Sequence, residues 1–299
     1  MKDTKLKVHV AVSAALFAAA VLWLIFVAPM LCSVYGIYAS IISELFFLLA
    51  AVTAVVAERV PIKAVFKTER ICVRQIAGVI VLYFGSTYLV TGVAQFTSIL
   101  FPGGMQETMQ YMLEQIGSLP FWLSMTAVAV IPAVCEEALF RGTILNSLSS
   151  IRSRGVLIAV MGVLFGIIHL DVYRFLITGI LGAVLTYIML ETENIFMPML
   201  FHFINNSASV FSARYLSAMP DAGGFASAAG TEIISKLSTA SAAVYAAAAP
   251  FVIFGGILLI RRSRSRTQET KRKNKCLLIC AACVSALFIS AGTIYMVLG

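Results

Sequence analysis

Three short motifs on three separate apolar segments hold the side chains best suited to chemistry. They are Glu136-Glu137-Ala138-Leu139-Phe140-Arg141, Phe165-Gly166-Ile167-Ile168-His169 and His202-Phe203-Ile204-Asn205-Asn206. Two of the three histidines in the chain, His169 and His202, belong to them. Ionisable groups are costly in hydrocarbon and, where kept, mark function by default. Adjacent carboxylates on a helix point about 100° apart, so Glu136 and Glu137 must have different neighbours. Glu137 and Arg141 are four residues apart on one face, the spacing of an internal ion pair. Glu136 is then left without a local cation and is available as a general base. Asn206 lies one turn beyond His202 on the same face. A carboxylate, two imidazoles and an amide supply a base, a water-positioning group and donors for a developing oxyanion. Taken singly, each of these residues could equally be a hydrogen-bond partner between helices.

The elements that must position these groups are membrane helices. Hydrophobic residues make up 60% of the 299-residue chain, charged ones 12%, and the mean hydropathy is +0.95. A soluble domain carries about twice that charged fraction. Apolar runs of about 18 residues or more mark spanning helices, and they predict an all-α polytopic bundle of about nine. The segments are 8–29, 36–57, 76–100, 119–148, 155–170, 174–190, 195–214, 240–260 and 276–298. Pro132 inside the fourth predicts a kink or a break there. The fifth is short, which a polar end or an aqueous cavity beside it would explain. Counted from the basic ends of their helices at about 1.5 Å per residue, Glu136, His169 and His202 lie roughly 18, 21 and 12 Å deep. Those depths cluster near the middle of a hydrocarbon core about 30 Å thick.

Charge placement predicts orientation. With nine spans, 18 of the 22 lysines and arginines fall on one side, and Arg174, Arg214 and Lys236 on the other; Arg141 is inside a helix. The N-terminus is therefore expected in the cytoplasm and the C-terminus outside. Lys2, Lys5 and Lys7 precede a first apolar stretch that is too long for a signal peptide and lacks a cleavage site, which predicts an uncleaved anchor. The net charge of +8 and the basic run from Arg261 to Lys275 suit anionic lipid headgroups; nucleic acid is not expected as a partner. Six cysteines give no disulfide framework, and Cys276, Cys280 and Cys283 are expected to pack one face of the last helix. Pro220–Gly230 reads as a flexible outer loop, and no internal repeat or phosphate-binding glycine loop is visible.

In order and spacing, Glu-Glu-x-x-x-Arg, Phe-x-x-x-His and His-x-x-x-Asn on successive membrane helices resemble the CPBP family of intramembrane proteases, also called the Abi or CAAX-protease family. The motifs span 136–206. The resemblance implies N-terminal membrane helices over 1–118, a four-helix catalytic core over 119–214, and a C-terminal part over 215–299 with two further helices and a basic cytoplasmic loop. It further implies hydrolysis of a peptide bond within the membrane. Glu136 with His169 would activate water, His202 and Asn206 would stabilise the oxyanion, and Glu137, Arg141 and Phe165 would support them. Glu136, His169 and His202 could instead supply the ligands of a catalytic zinc with an open position. There is no His-Glu-x-x-His, however, and Glu137 is committed to Arg141, so metal-free catalysis is expected and Zn2+ is the alternative. The expected partner is a membrane-embedded or lipidated peptide, of CAAX type or a bacteriocin or leader peptide, at a bacterial plasma membrane. A cavity facing the cytoplasm would fit substrates presented from inside. A small-solute transporter, or a non-catalytic immunity or scaffold protein, are the other classes the sequence admits.

Overall fold

A computed structural model of the chain describes residues 7–217, 228–261 and 268–298. Ten helices account for most of them: α1 Val10–Tyr35, α2 Tyr38–Ala57, α3 Val73–Leu100, α4 Pro102–Gly117, α5 Phe121–Ser150, α6 Arg154–Ile167, α7 Phe175–Thr192, α8 Phe196–Ser217, α9 Ala228–Ile260 and α10 Gln268–Leu298. Among the described residues there is no strand, only an isolated antiparallel bridge between Thr68 and Asn194. The protein is an all-α, multi-pass membrane protein.

Each of the nine expected segments coincides with a helix. Among the described residues, seven helices are long and apolar enough to cross a membrane alone. The other two are α6, with 14 residues, and α8, which carries His202, Asn205, Asn206 and Arg214. The tenth helix, α4, was not foreseen. Its sequence is rich in Gln, Glu, Met and Gly and has no long apolar run; it packs on α3 and α8. Of the expected loop Pro220–Gly230, residues 220–227 lie outside the described residues and 228–230 begin α9. All six cysteines are free, and Cys276, Cys280 and Cys283 are exposed rather than packed.

Burial ranks the helices. In α5, 61% of the most apolar window is buried, against 11% in α1 and 17% near the end of α10. Helix α5 is thus the axis of the bundle, while α1 and α10 turn most of their apolar surface outward, as lipid permits. The charged connections collect at one end. There Lys67 pairs with Glu193 at 2.9 Å, Arg154 with Glu191 at 2.9 Å, and Arg74 donates to the Arg261 carbonyl at 2.6 Å. The opposite end holds α4 and the turn before α7, where the rings of Phe101 and Tyr173 lie 5.9 Å apart and Arg214 donates to the Leu119 carbonyl.

Close backbone approach joins α3 to α9, with Gln75 donating to the Ile260 carbonyl at 3.4 Å and Gln95 to the Thr239 hydroxyl at 2.9 Å. Without a hydrophobic drive between helices in lipid, small residues at the interface let backbones meet. Gly256 is such a residue: a Cβ there would lie 2.9 Å from the Leu82 amide nitrogen, whereas at neighbouring Gly255 the nearest atom is 4.0 Å away. We predict that Gly256→Ala lowers stability by about 1–3 kcal/mol through overpacking. Gly255→Ala should be neutral or stabilising, by up to about 1 kcal/mol from helix propensity. Melting of the two variants in detergent tests this; equal melting temperatures would refute the tight interface.

Candidate active site

Helix α5 carries the first motif where its winding is least regular. Wide π turns occupy residues 125–130 and 138–144 on either side of a short α segment that contains Pro132. This is the irregularity expected from the proline, and such turns collect at functional sites. Proline has no N–H to give the carbonyl one turn earlier, that of Val128. The Asn206 side-chain amide donates to this carbonyl at 2.8 Å, so an irregularity in α5 positions a polar group on α8. The Asn206 side-chain oxygen accepts from the Asn205 amide at 3.1 Å.

Glu137 and Arg141 form the ion pair their spacing predicts, at 2.9 Å, with both side chains fully buried. Two further bonds extend it across the bundle. Arg141 Nη2 donates to the Gly182 carbonyl of α7 at 2.8 Å, and His202 Nδ1 lies 3.0 Å from the same Glu137 oxygen. The guanidinium also sits over the Phe165 ring, 4.5 Å from its centroid, a cation–π contact of the kind that gains strength when desolvated. Gly182 makes this approach feasible, since a Cβ there would lie 2.5 Å from Phe165 Cβ. Phe165 in turn packs edge-on against His169 and His202, with ring centroids 5.0 and 5.9 Å away.

A cavity of about 740 Å³ opens beside this cluster. Glu136, His169, His202, Asn205, Asn206 and Phe165 all line it, so the four expected catalytic residues, from three distant motifs, share one space. Glu137 and Arg141 stand behind its wall. His169 lies just past the end of α6, and its Nδ1 is 2.7 Å from the Phe165 carbonyl. A carbonyl only accepts, so Nδ1 carries the hydrogen and the neutral ring keeps its lone pair at Nε2. The same reasoning puts the hydrogen of His202 on Nδ1, towards the Glu137 carboxylate. The short α6 thus ends at the cavity, as its length suggested.

Glu136 has a second neighbour that spacing did not reveal. Glu44, on α2, brings its carboxyl within hydrogen-bonding reach of Glu136. Each of the two carboxyls has an oxygen shielded from solvent and without a donor. Arg174 also lines the cavity; Asp171 fixes its backbone by accepting from the Tyr173 and Arg174 amides at 2.9 and 3.1 Å. Among the described residues, no three His, Cys, Asp or Glu side chains gather into a set able to hold a metal ion. Glu136, His169 and His202 do not fit a zinc as they stand.

Residues 118–208 match the family model described as type II CAAX prenyl endopeptidase Rce1-like. This is the family to which the three motifs point, and the matched segment contains all of them. No curated protein and no solved structure matches the chain.

The buried pair yields a stability prediction. Removing one partner of such a pair leaves an uncompensated charge and costs about 3–5 kcal/mol. Glu137→Gln and Arg141→Leu should each lower the melting temperature of the detergent-solubilised protein, and the double variant should lose less than the sum of the two. Additive losses, or none, would contradict the pairing.

Proposed function

With residues 118–208 matching the CPBP protease family, we propose that the chain is an intramembrane endopeptidase that cleaves a membrane-associated peptide with water activated by Glu136. The observation that carries this reading is the convergence of Glu136, His169, His202 and Asn206 on one cavity inside an apolar bundle. Peptide hydrolysis needs a base for water, a means of holding that water and donors for the oxyanion. Glu136 takes the proton from water. His169, with Nδ1–H bound to the Phe165 carbonyl, presents its Nε2 lone pair to the same water. Asn206 uses one amide hydrogen on Val128 and retains the other for the oxyanion. His202 offers an Nε2–H only when both ring nitrogens are protonated, a charge that Glu137 balances at Nδ1. The proton then passes to the leaving amine as the peptide C–N bond breaks.

Glu44 serves this scheme from behind. It does not line the cavity, whereas Glu136 does. The hydrogen bond then fixes which way the base faces. A transporter fits less well: Arg141, Glu137 and Phe140, each at most 1% exposed, close the bundle beyond the cavity. The matched family name suggests a CAAX-type peptide as one candidate substrate, alongside bacteriocin and leader peptides.

Peptidase activity of the purified protein against membrane-associated peptides tests the proposal. Glu136→Gln is expected to reduce cleavage by about 10²–10⁴-fold, the usual contribution of a general base, without loss of fold. Full retained activity would remove Glu136 from the mechanism. Cleavage should survive stringent chelation; activity that tracks stoichiometric zinc would instead make Glu136, His169 and His202 ligands. Glu44→Gln keeps a donor and should stay within a few-fold of wild type. Glu44→Leu should lower kcat by up to about 10²-fold, the cost of a misplaced group, with KM little changed. A KM effect alone would argue against a positioning role.

A further inference from the structure

The cavity belongs to one side of the bundle. Its walls come from Val90–Ser98 at the far end of α3, from Met112 of α4, from Arg174 and the first turns of α7, and from Asn205–Ser209 of α8. All of these lie towards the end that holds α4 and the turn before α7. Thr91, Gln95 and Ser98 recur on one face of α3 and carry a polar strip along the cavity wall. The basic end has a separate cavity of about 450 Å³, lined by Lys7, Lys67, Arg154 and Glu193, and it stops at Arg141. Arg141 lines that second cavity and Phe165 the first, and the guanidinium rests 4.5 Å from the ring centroid. The partition between them is the buried ion pair and its aromatic neighbours.

Lysines and arginines in short loops set orientation, with the basic side inward; the nine-span reading of the sequence puts 18 of the 22 on one side, and among the described residues Lys7, Lys67 and Arg154 of that side line the second cavity. We infer that the catalytic cavity opens to the non-cytoplasmic side and admits a peptide, or an extended protein segment, at the outer leaflet. The sequence alone leaves the side open. The polar strip on α3 spends its hydroxyl hydrogens on the Thr87 and Gln95 carbonyls and offers its side-chain oxygens as acceptors to unpaired peptide N–H groups, while Ile177, Leu181 and Ala94 accommodate apolar side chains. A cytoplasmic tail would meet the basic cavity, where Arg141 and Phe165 separate it from Glu136. What the cavity admits rests on the endopeptidase reading; the side to which it opens does not.

Accessible-cysteine labelling of the full chain decides the side. In a background with the exposed Cys32, Cys72, Cys276, Cys280 and Cys283 changed to serine, Ser98→Cys marks the catalytic cavity and Ser149→Cys the basic end. In right-side-out membrane vesicles, a membrane-impermeant maleimide should label Ser98→Cys directly and Ser149→Cys only after permeabilisation. No labelling of Ser98→Cys before permeabilisation, or labelling of Ser149→Cys at that stage, would overturn the inference. A cleavable peptide should be cut when supplied outside right-side-out vesicles and spared outside inverted ones; the opposite result would also overturn it. Labelling needs no catalysis, so a silent peptide panel would count against the endopeptidase reading alone.

Discussion

A guanidinium in the middle of an apolar bundle must be neutralised and must place its N–H donors, and meeting those two demands organises the core of this protein. Arg141 meets most of this with Glu137 one turn back, with the Gly182 carbonyl and with the face of Phe165, and leaves its Nε–H without an acceptor. These partners come from α5, α7 and α6, and Glu137 recruits His202 from α8 through its carboxylate oxygen. One buried pair therefore holds four helices in a fixed relation. In water such a pair contributes little over well-packed apolar groups. Here each partner left alone would be a bare charge in hydrocarbon, so the arrangement specifies the packing as much as it stabilises it.

The pair also explains why two adjacent glutamates lead different lives. Successive helical residues diverge by about 100°, so once Glu137 turns to Arg141, Glu136 must face another direction. It finds the cavity on one side and Glu44 on the other. The carboxylate that is neutralised cannot act as a base, and the one that is not neutralised by a cation faces water. Pro132 adds to the division, because the winding it disrupts leaves the Val128 carbonyl as the anchor of Asn206.

Much of this was legible in the sequence, and what was legible is local. The Glu137–Arg141 pair, the irregularity at Pro132, the shortness of α6 and the positions of most helices follow from spacings within one segment. What escaped is what spacing cannot encode. Glu44 stands 92 positions before Glu136, and as a single acid in an apolar run it carries no signal of its target. The carbonyl of Gly182 has no side chain to read at all, and its role appears only once Phe165 is seen pressed against that glycine. Helix α4 is amphipathic and polar, so apolar run length, which finds the spanning helices, passes over it. Conversely, α8 falls short of a self-sufficient span because its polar residues face protein and cavity, not lipid.

The proposed hydrolysis within a membrane poses a conflict between admitting water and keeping the charged site dry enough for its electrostatics to matter. The short α6 resolves it. At about 1.5 Å per residue its 14 residues cover roughly 21 Å, less than the hydrocarbon thickness of about 30 Å, so the chain turns back at His169 short of a full span. His169 and Arg174 of that turn border the polar cavity, and Asp171 satisfies two of its amides. The space above the turn becomes the cavity. Below it, Phe165 and Phe140 pack around Arg141 and separate the ion pair from the first cavity. The same rings thus stand between that cavity and the basic one. Glu136 and Glu137, one residue apart, lie on opposite sides of that boundary.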